Sequence, residues 1–412
     1  MDILSASRSD KFFRFLIICA GVFSAYDFLY VLARDVACHC DFYDFKEYYC
    51  AAKKLAYNQK ILNWINIPYH PLFAAVLKLF CFLFPYSAAA IIWRLIIAAN
   101  IGAIVFCAAH AVSRMADEKI NYPILFAFAF IALSFNPIIE DFEDGQINTL
   151  LVLGISLLIF KYKENSIISG LLLSVAIALK SQYTLFLLPF LCIGKFRILA
   201  FVVLFYSLWT IIASLAVGPV PVVDYFANVL HCVGTSDHFE RTAHSNFFSP
   251  CIFAVLGKLL HDTGIAPLSA VKMLYGILSA ALTGLSCILL YKAQLKRGLT
   301  CYSFFHAAIL MLLICPFTER HHLIILIPVF CVMFFDFAQW GDRTMQVLLV
   351  LAYLCLGMKF AIYRLPSLSH GFISIFQMPS ILGLFILYCL TAQILVRKTN
   401  AFSKQSDESC LP

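Results

Sequence analysis

Several polar residues stand at the ends of apolar segments, where such segments have least need of them. Asp44 opens "DFKEYYCAAKKL", Gln146 and Asn148 follow the acidic run in "EDFEDGQIN", and Lys180 ends "SGLLLSVAIALK". Asn246 lies in "HSNFFSP", His70 in "YHPLFAAVL", and Glu319, Arg320, His321 and His322 crowd "CPFTERHHLIILIPVF". A carboxylate held at hydrogen-bond reach of a hydroxyl can act as a general base. Cations at a helix N-terminus oppose the helix dipole unless an anion is present, so Arg320, His321 and His322 point to a phosphate-type ligand. Adjacent histidines lie about 100° apart on a helix and lack a carboxylate at matching spacing, which makes a poor metal site. The pair Cys38 and Cys40 around His39 has no second ligand pair either.

Each residue also has a plainer reading. Asp44 with Glu47 resembles a capping box, and the acids of Glu140 to Asp144 suit the start of a helix. Lys180 could snorkel to an interface, and the Thr318 to His322 stretch could be a solvated loop. A polar amide such as Gln146 or Asn148 at the head of an apolar span faces a cavity or a partner helix.

The elements that must position these groups are set by composition. The chain has 412 residues, 62% hydrophobic and 13% charged, well above the apolar share of a soluble domain. Apolar runs of about 20 residues recur, the length that crosses a hydrocarbon core. Backbone groups in lipid must bond within the chain, and no period-2 pattern suggests a barrel, so the expected fold is all-α, a polytopic helical bundle. The first span is expected at Phe12 to Ala33, uncleaved. The sixteen cysteines read as small apolar fillers rather than a disulfide framework. The net charge of +7 calls for no nucleic-acid partner.

Basic residues fall in alternate loops: Arg8, Lys11 and Arg14; Arg114 and Lys119; Lys161 and Lys163; Lys195 and Arg197; Lys292, Lys296 and Arg297; Arg397, Lys398 and Lys404. By the positive-inside rule those loops and both termini are cytoplasmic, in an inner or plasma membrane. The bookkeeping closes at about 12 crossings if Pro68 to His110, broken at "PYS", makes one net crossing and begins with a re-entrant piece. Residues 1–412 then form one integral-membrane domain with a cytoplasmic tail at 397–412. Phe45, Tyr48, Ala52 and Leu55 share one helical face while Lys46, Lys53 and Lys54 point elsewhere, so the segment after the first span is expected to lie flat in the interface. All the polar candidates then gather on the outer face.

In this order the motifs resemble a known family. "DFKEYYCAAKKL" is similar to an Asp-Phe-x-x-Tyr-Tyr-x-Ala-Ala-x-x-Leu segment, "YHPLFAAVL" to Tyr-Pro-Pro-Leu, and "AAAIIWRLIIAAN" to an Ala-x-x-x-Trp helix ending in Asn. "DGQINTLLVLGISLL" with "SGLLLSVAIALK" looks like a Gly-Gln-x-Asn helix followed by a helix ending in Lys. "CPFTERHHLIILIPV" resembles a Ser-Pro-x-x-x-x-His-His-Leu element. These are motifs of the polyprenol-phosphate-sugar-dependent glycosyltransferases of the GT-C class, family 87, and the resemblance runs from about Asp41 to Asp336. His70 replaces one family proline, Cys315 a serine, and the family's Asn-Gln-Ser survives only as "HSNFFSP".

The resemblance implies a GT-C-like bundle and transfer of a hexose or pentose, mannose first, from a polyprenyl-phosphate donor. The acceptor would be a lipid or glycan on the outer face, the anomeric carbon would invert, and neither cofactor nor metal would be needed. Asp44 would be the base. His322, His321, Arg320 and Lys180 would hold the donor phosphate. Gln146, Asn148, Asn246, Glu319 and His70 would contact sugar or acceptor. Two other classes share the apolar bundle. A lipid-linked sugar flippase should show broken helices repeated in both halves, and no internal repeat is evident. A surface-polysaccharide ligase or polymerase should carry a large, arginine-rich late loop, whereas Asp224 to Pro250 holds only Arg241.

Overall fold

The computed structural model describes residues 43–56, 70–115, 122–229, 249–297, 299–316, 318–358 and 378–408. The expected first span, the Cys38–Cys40 pair and Asn246 lie outside them. Among the described residues the regular structure is helical, with no strand. The helices, in order, are α1 (Tyr43–Ala56), α2 (Pro71–Leu83), α3 (Tyr86–Met115), α4 (Tyr122–Leu133), α5 (Asn136–Asp144), α6 (Asn148–Leu157) and α7 (Ser166–Leu179). Then come α8 (Leu188–Cys192), α9 (Phe196–Val217), α10 (Pro219–Asp224), α11 (Ile252–Leu256), α12 (Leu268–Arg297) and α13 (Cys301–Ile314). The last three are α14 (Ile327–Trp340), α15 (Arg343–Gly357) and α16 (Pro379–Glu408). Short 3-10 helices at Ser181–Leu187 and Arg320–Leu326 lead directly into α8 and α14.

Among the described residues five helical stretches are long and apolar enough to cross a membrane: Tyr86–Met115, Phe196–Val217, Leu268–Leu295, Arg320–Trp340 and Pro379–Val396. The pair α4 and α5, bent by 64° at its break, counts as a sixth if taken as one span. Seven further apolar helices are only 10–17 residues long. Among the described residues there are therefore five or six candidate spans where about twelve crossings were expected. Pro85 ends α2 and separates it from α3, as the "PYS" break suggests.

Sequence pattern and packing agree on what faces inward. Helix α13 is buried on every side from Tyr302 to Leu313, and the Arg320–Leu326 turn is buried along its whole length. By contrast α9 exposes Val203, Leu204, Ile211 and Leu215, and α12 exposes Met273, Ile277 and Ile288. In lipid such faces gain nothing from hiding, so helices associate through close packing and polar contacts. At Gly170 of α7 a side chain would run into Phe201 of α9, so the glycine sets how closely those helices approach. Three helices also share a buried polar knot. His306 of α13 bonds Thr391 of α16 at 2.9 Å and Ser286 of α12 at 3.1 Å, and Ser286 meets Tyr388 at 2.8 Å. Every cysteine described is a free thiol, in keeping with a filler role.

Candidate functional site

Helix α1 is fixed by its aromatic face. Phe45 stacks on Trp93 of α3 with ring centroids 5.2 Å apart, and Tyr48 meets Phe73 of α2 edge-on at 5.4 Å. Tyr49 Oη donates to the Phe84 carbonyl at 2.9 Å. Lys46, Glu47, Cys50 and Lys53 stay exposed on the opposite face. The amphipathic pattern thus describes packing against α2 and α3. Asp44 lies within the first turn, and its carboxylate turns into the protein.

The partner there is Gln146, whose Nε2 donates to Asp44 Oδ2. Tyr48 Oη donates to Gln146 Oε1 at 3.5 Å, an arrangement that leaves the amide NH2 facing the carboxylate. Gln146 is delivered by a tight turn. Gly145 ends α5 at φ 69°, a left-handed conformation that suits glycine, and Trp93 Nε1 donates to its carbonyl at 2.8 Å. Burial pushes the Asp44 carboxyl up from 3.8 to about 6. The charges of Glu319 and Glu47 add to the rise, while Lys180 and the Gln146 bond oppose it.

The acids before Gln146 were expected to favour a helix start. They instead stand in the second half of α5, where the dipole opposes them, held by Asn136 of the same helix, by Asn148 and by Arg320. Glu140 accepts from Asn136 at 2.8 Å and lies 3.7 Å from Arg320 Nε. Arg320 Nη2 also donates to the Met358 carbonyl at 3.2 Å. Asp141, fully buried, accepts from Asn148 Nδ2 at 2.7 Å. The anion that Arg320 needs at its helix start is therefore supplied in part by Glu140 of the same chain.

The 3-10 turn at Arg320–Leu326 separates the two histidines. Their rings stand nearly perpendicular at 82°, with centroids 4.5 Å apart. His321 Nε2 pairs with Glu319 Oε2 at 3.3 Å. His322 and Glu319 cap one another, with Glu319 N donating to His322 Nδ1 at 3.0 Å and the Glu319 side chain accepting from His322 N. Ser249, at the described end of the "HSNFFSP" stretch, braces this loop by donating to the Thr318 carbonyl at 2.6 Å.

Lys180 occupies the break between α7 and the following 3-10 turn, with Nζ 2.6 Å from His322 Nε2. Because Nδ1 accepts a backbone proton, a neutral His322 ring carries its own proton on Nε2. An ammonium and an imidazole N–H are both donors. An anionic oxygen is one group that can accept from both.

His70 is drawn into a different task. Its Nδ1 accepts from Leu72 N at 3.1 Å, which caps α2, and Nε2 lies 3.2 Å from Thr210 Oγ1 of α9. Tyr206, Tyr225 and Phe226 surround the ring edge-on, and burial pushes its pKa down to about 4. The structure thus gathers Asp44, Gln146, Lys180, Glu319, His321 and His322. Arg320 and Asn148 are buried in contacts with Glu140 and Asp141 instead. The spacing gave no sign of Glu140 and Asp141 as partners, because their contacts come from distant segments or from across a turn. Among the described residues no group of three His, Cys, Asp or Glu side chains could hold a metal.

Comparison with known families matches residues 68–316 to Glycosyltransferase family 87. No curated protein and no solved structure matches. Asp44 precedes the matched stretch and Glu319 to His322 follow it, yet both meet residues inside it, Gln146 and Lys180. With more than half of its length matched, the chain belongs to glycosyltransferase family 87.

Proposed function

We propose that this membrane glycosyltransferase moves a hexose or pentose, mannose first, from a polyprenyl-phosphate donor to a lipid or glycan acceptor. The reaction takes place on the outer face of an inner or plasma membrane, within a bundle of about twelve crossings whose termini are cytoplasmic. The observation that carries this reading is a carboxylate and a two-donor anion site within electrostatic reach of each other.

Asp44 is the base. An acceptor hydroxyl ordinarily holds its proton at neutral pH, and a carboxylate beside it can take that proton as the oxygen attacks the anomeric carbon. A pKa of about 6 leaves Asp44 ionised at neutral pH and more basic than an ordinary aspartate. Lys180 and His322 receive the departing phosphate, whose oxygens accept from both donors as negative charge collects there. The phosphate leaves without an acid, so one carboxylate suffices for attack from the opposite face with inversion. Gln146 aims the base, and Glu319 reaches the sugar or acceptor from the exposed mouth of the site. Asn246 is assigned to contact with sugar or acceptor by the family resemblance alone.

The test is transfer from radiolabelled polyprenyl-phosphate sugars to membrane lipid by purified wild type and Asp44→Asn. Transfer by the wild type alone supports both enzyme and base. Equal transfer by both removes Asp44 from the mechanism. No transfer across the donor series overturns the polyprenyl-phosphate assignment.

A further inference from the structure

The two segments that bring Lys180 and His322 together meet where helices stop. Lys180 ends α7 in an extended conformation, φ −141° and ψ 107°, and opens the 3-10 turn at Ser181–Leu187 with no side-chain cap. Cys315 ends α13 in a similar way, at φ −79° and ψ 119°, shortly ahead of Glu319. Backbone at such breaks has left the helical ladder, so side chains must help to fix it.

One side-chain bond joins the two breaks. Cys315 Sγ donates to Gln182 Oε1 at 3.1 Å, across 133 positions of sequence. Gln182 stands just beyond Lys180 in the 3-10 turn, which packs against α13. The rest of the Cys315 loop is tied to itself and to other neighbours. The Cys315 carbonyl accepts from Thr318 N at 3.2 Å and from Thr318 Oγ1 at 3.0 Å. Tyr275 of α12 donates to the Ile314 carbonyl, Cys251 Sγ to the Pro316 carbonyl at 3.7 Å, and Ser249 to the Thr318 carbonyl. None of those partners belongs to the segment of Lys180. The Cys315–Gln182 bond does reach it, a second tie between the same two segments beside the Lys180–His322 contact at 2.6 Å. A thiol is a weak donor, so the bond adds little to stability and acts through placement.

We propose that Cys315 and Gln182 are positioning residues, whose bond holds the turn after Lys180 in register with the loop that carries Glu319, His321 and His322. The proposal rests on the glycosyl-transfer reading for the reaction it serves. A shift of about 1 Å between groups that act together on one substrate costs up to about a hundredfold in rate. The bond keeps that shift from arising at two helix ends, where the backbone alone does not prevent it.

The first measurement needs no sugar. A thiol whose proton is held by an amide oxygen forms thiolate less readily, and the thiolate is what attacks iodoacetamide. Purified full-length protein is alkylated at about pH 8, and the rate at Cys315 is read by mass spectrometry against that at the exposed Cys50 of α1. Gln182→Leu raises the relative rate about fivefold, and Gln182→Glu, whose carboxylate repels the thiolate, lowers it. Opposite shifts in two variants of similar size exclude a change of access. Any other pattern overturns the bond. The second measurement is sugar transfer with the substrates that the wild type uses. Cys315→Ala lowers kcat about tenfold with the KM for the sugar donor within about twofold. Cys315→Ser, whose hydroxyl donates in the same place, returns kcat to within about threefold, and both variants unfold within about 2 °C of the wild type. Equal kcat in Cys315→Ala and Cys315→Ser overturns the positioning role. A wild type that transfers no sugar counts against the glycosyl-transfer reading, while the alkylation rates still decide the bond.

Discussion

Replacing Gln146 with leucine separates Asp44, the proposed base, from the amide that bonds it. The Gln146 Nε2 bond to Asp44 favours the charged carboxylate, and burial with the charges of Glu319 and Glu47 outweighs it, which leaves Asp44 at about 6. A hydrogen bond to a charged group contributes about 1.5–3 kcal/mol, which corresponds to about one to two pH units. The Gln146 bond is the smallest of the effects on Asp44, so the low end applies, and in Gln146→Leu the carboxyl titrates at about 7. The sign follows from the chemistry: the ionised form is the base, so kcat/KM rises with pH through that value and levels off above it. At pH 6 half of the wild-type carboxylates are ionised, and the variant falls to about 5-fold lower kcat/KM. At pH 9 the two proteins come within about twofold of each other. The assay is initial sugar transfer between pH 5 and pH 9, with the donor and acceptor that the wild type uses. An acid limb still near 6, or an equal loss at every pH, refutes the reasoning.

Lys180→Met removes one of the two donors on the anion and lowers kcat/KM by about 10²- to 10³-fold, read in the same assay, and a metal chelator leaves wild-type transfer unchanged. Arg320→Met removes the cation facing Glu140, which keeps its Asn136 bond, and frees the Met358 carbonyl. It costs about 3 kcal/mol of stability, seen as a fall in unfolding temperature in detergent. His70→Ala removes the cap of α2 and costs about 1 kcal/mol; His70→Asn, whose side chain can accept from the same amide, recovers most of it.

How much of this was legible in the sequence depended on range. The apolar runs gave the helices, and the Pro85 break and the short pieces around Lys180 appear where the runs stop. The amphipathic pattern of α1 marked Phe45, Tyr48 and Ala52 as one face, and those residues are buried. Pattern does not say what covers a face, and here it is Phe73 and Trp93. Asp44 looked like a cap because a spacing of three residues is visible in a string, whereas its bond to Gln146 spans 102 positions. The acids of α5 were misplaced for the same reason. Their neighbours along the chain suggested a helix start, while Arg320 answers Glu140 from far down the chain. His70 departs from its family's proline, and only the structure shows that its ring serves as a helix cap.

The mutual cap between Glu319 and His322 has a consequence for how the protein comes into being. Asp44, Gln146 and Lys180 are all made in the first half of synthesis and can settle in the membrane together. The second donor of the anion pair does not exist until residue 322 has left the ribosome and the helix that begins at Arg320 has formed. On the proposed mechanism the nascent chain until then carries its base with no complete seat for a leaving phosphate, so it cannot turn over donor while its helices are still being inserted.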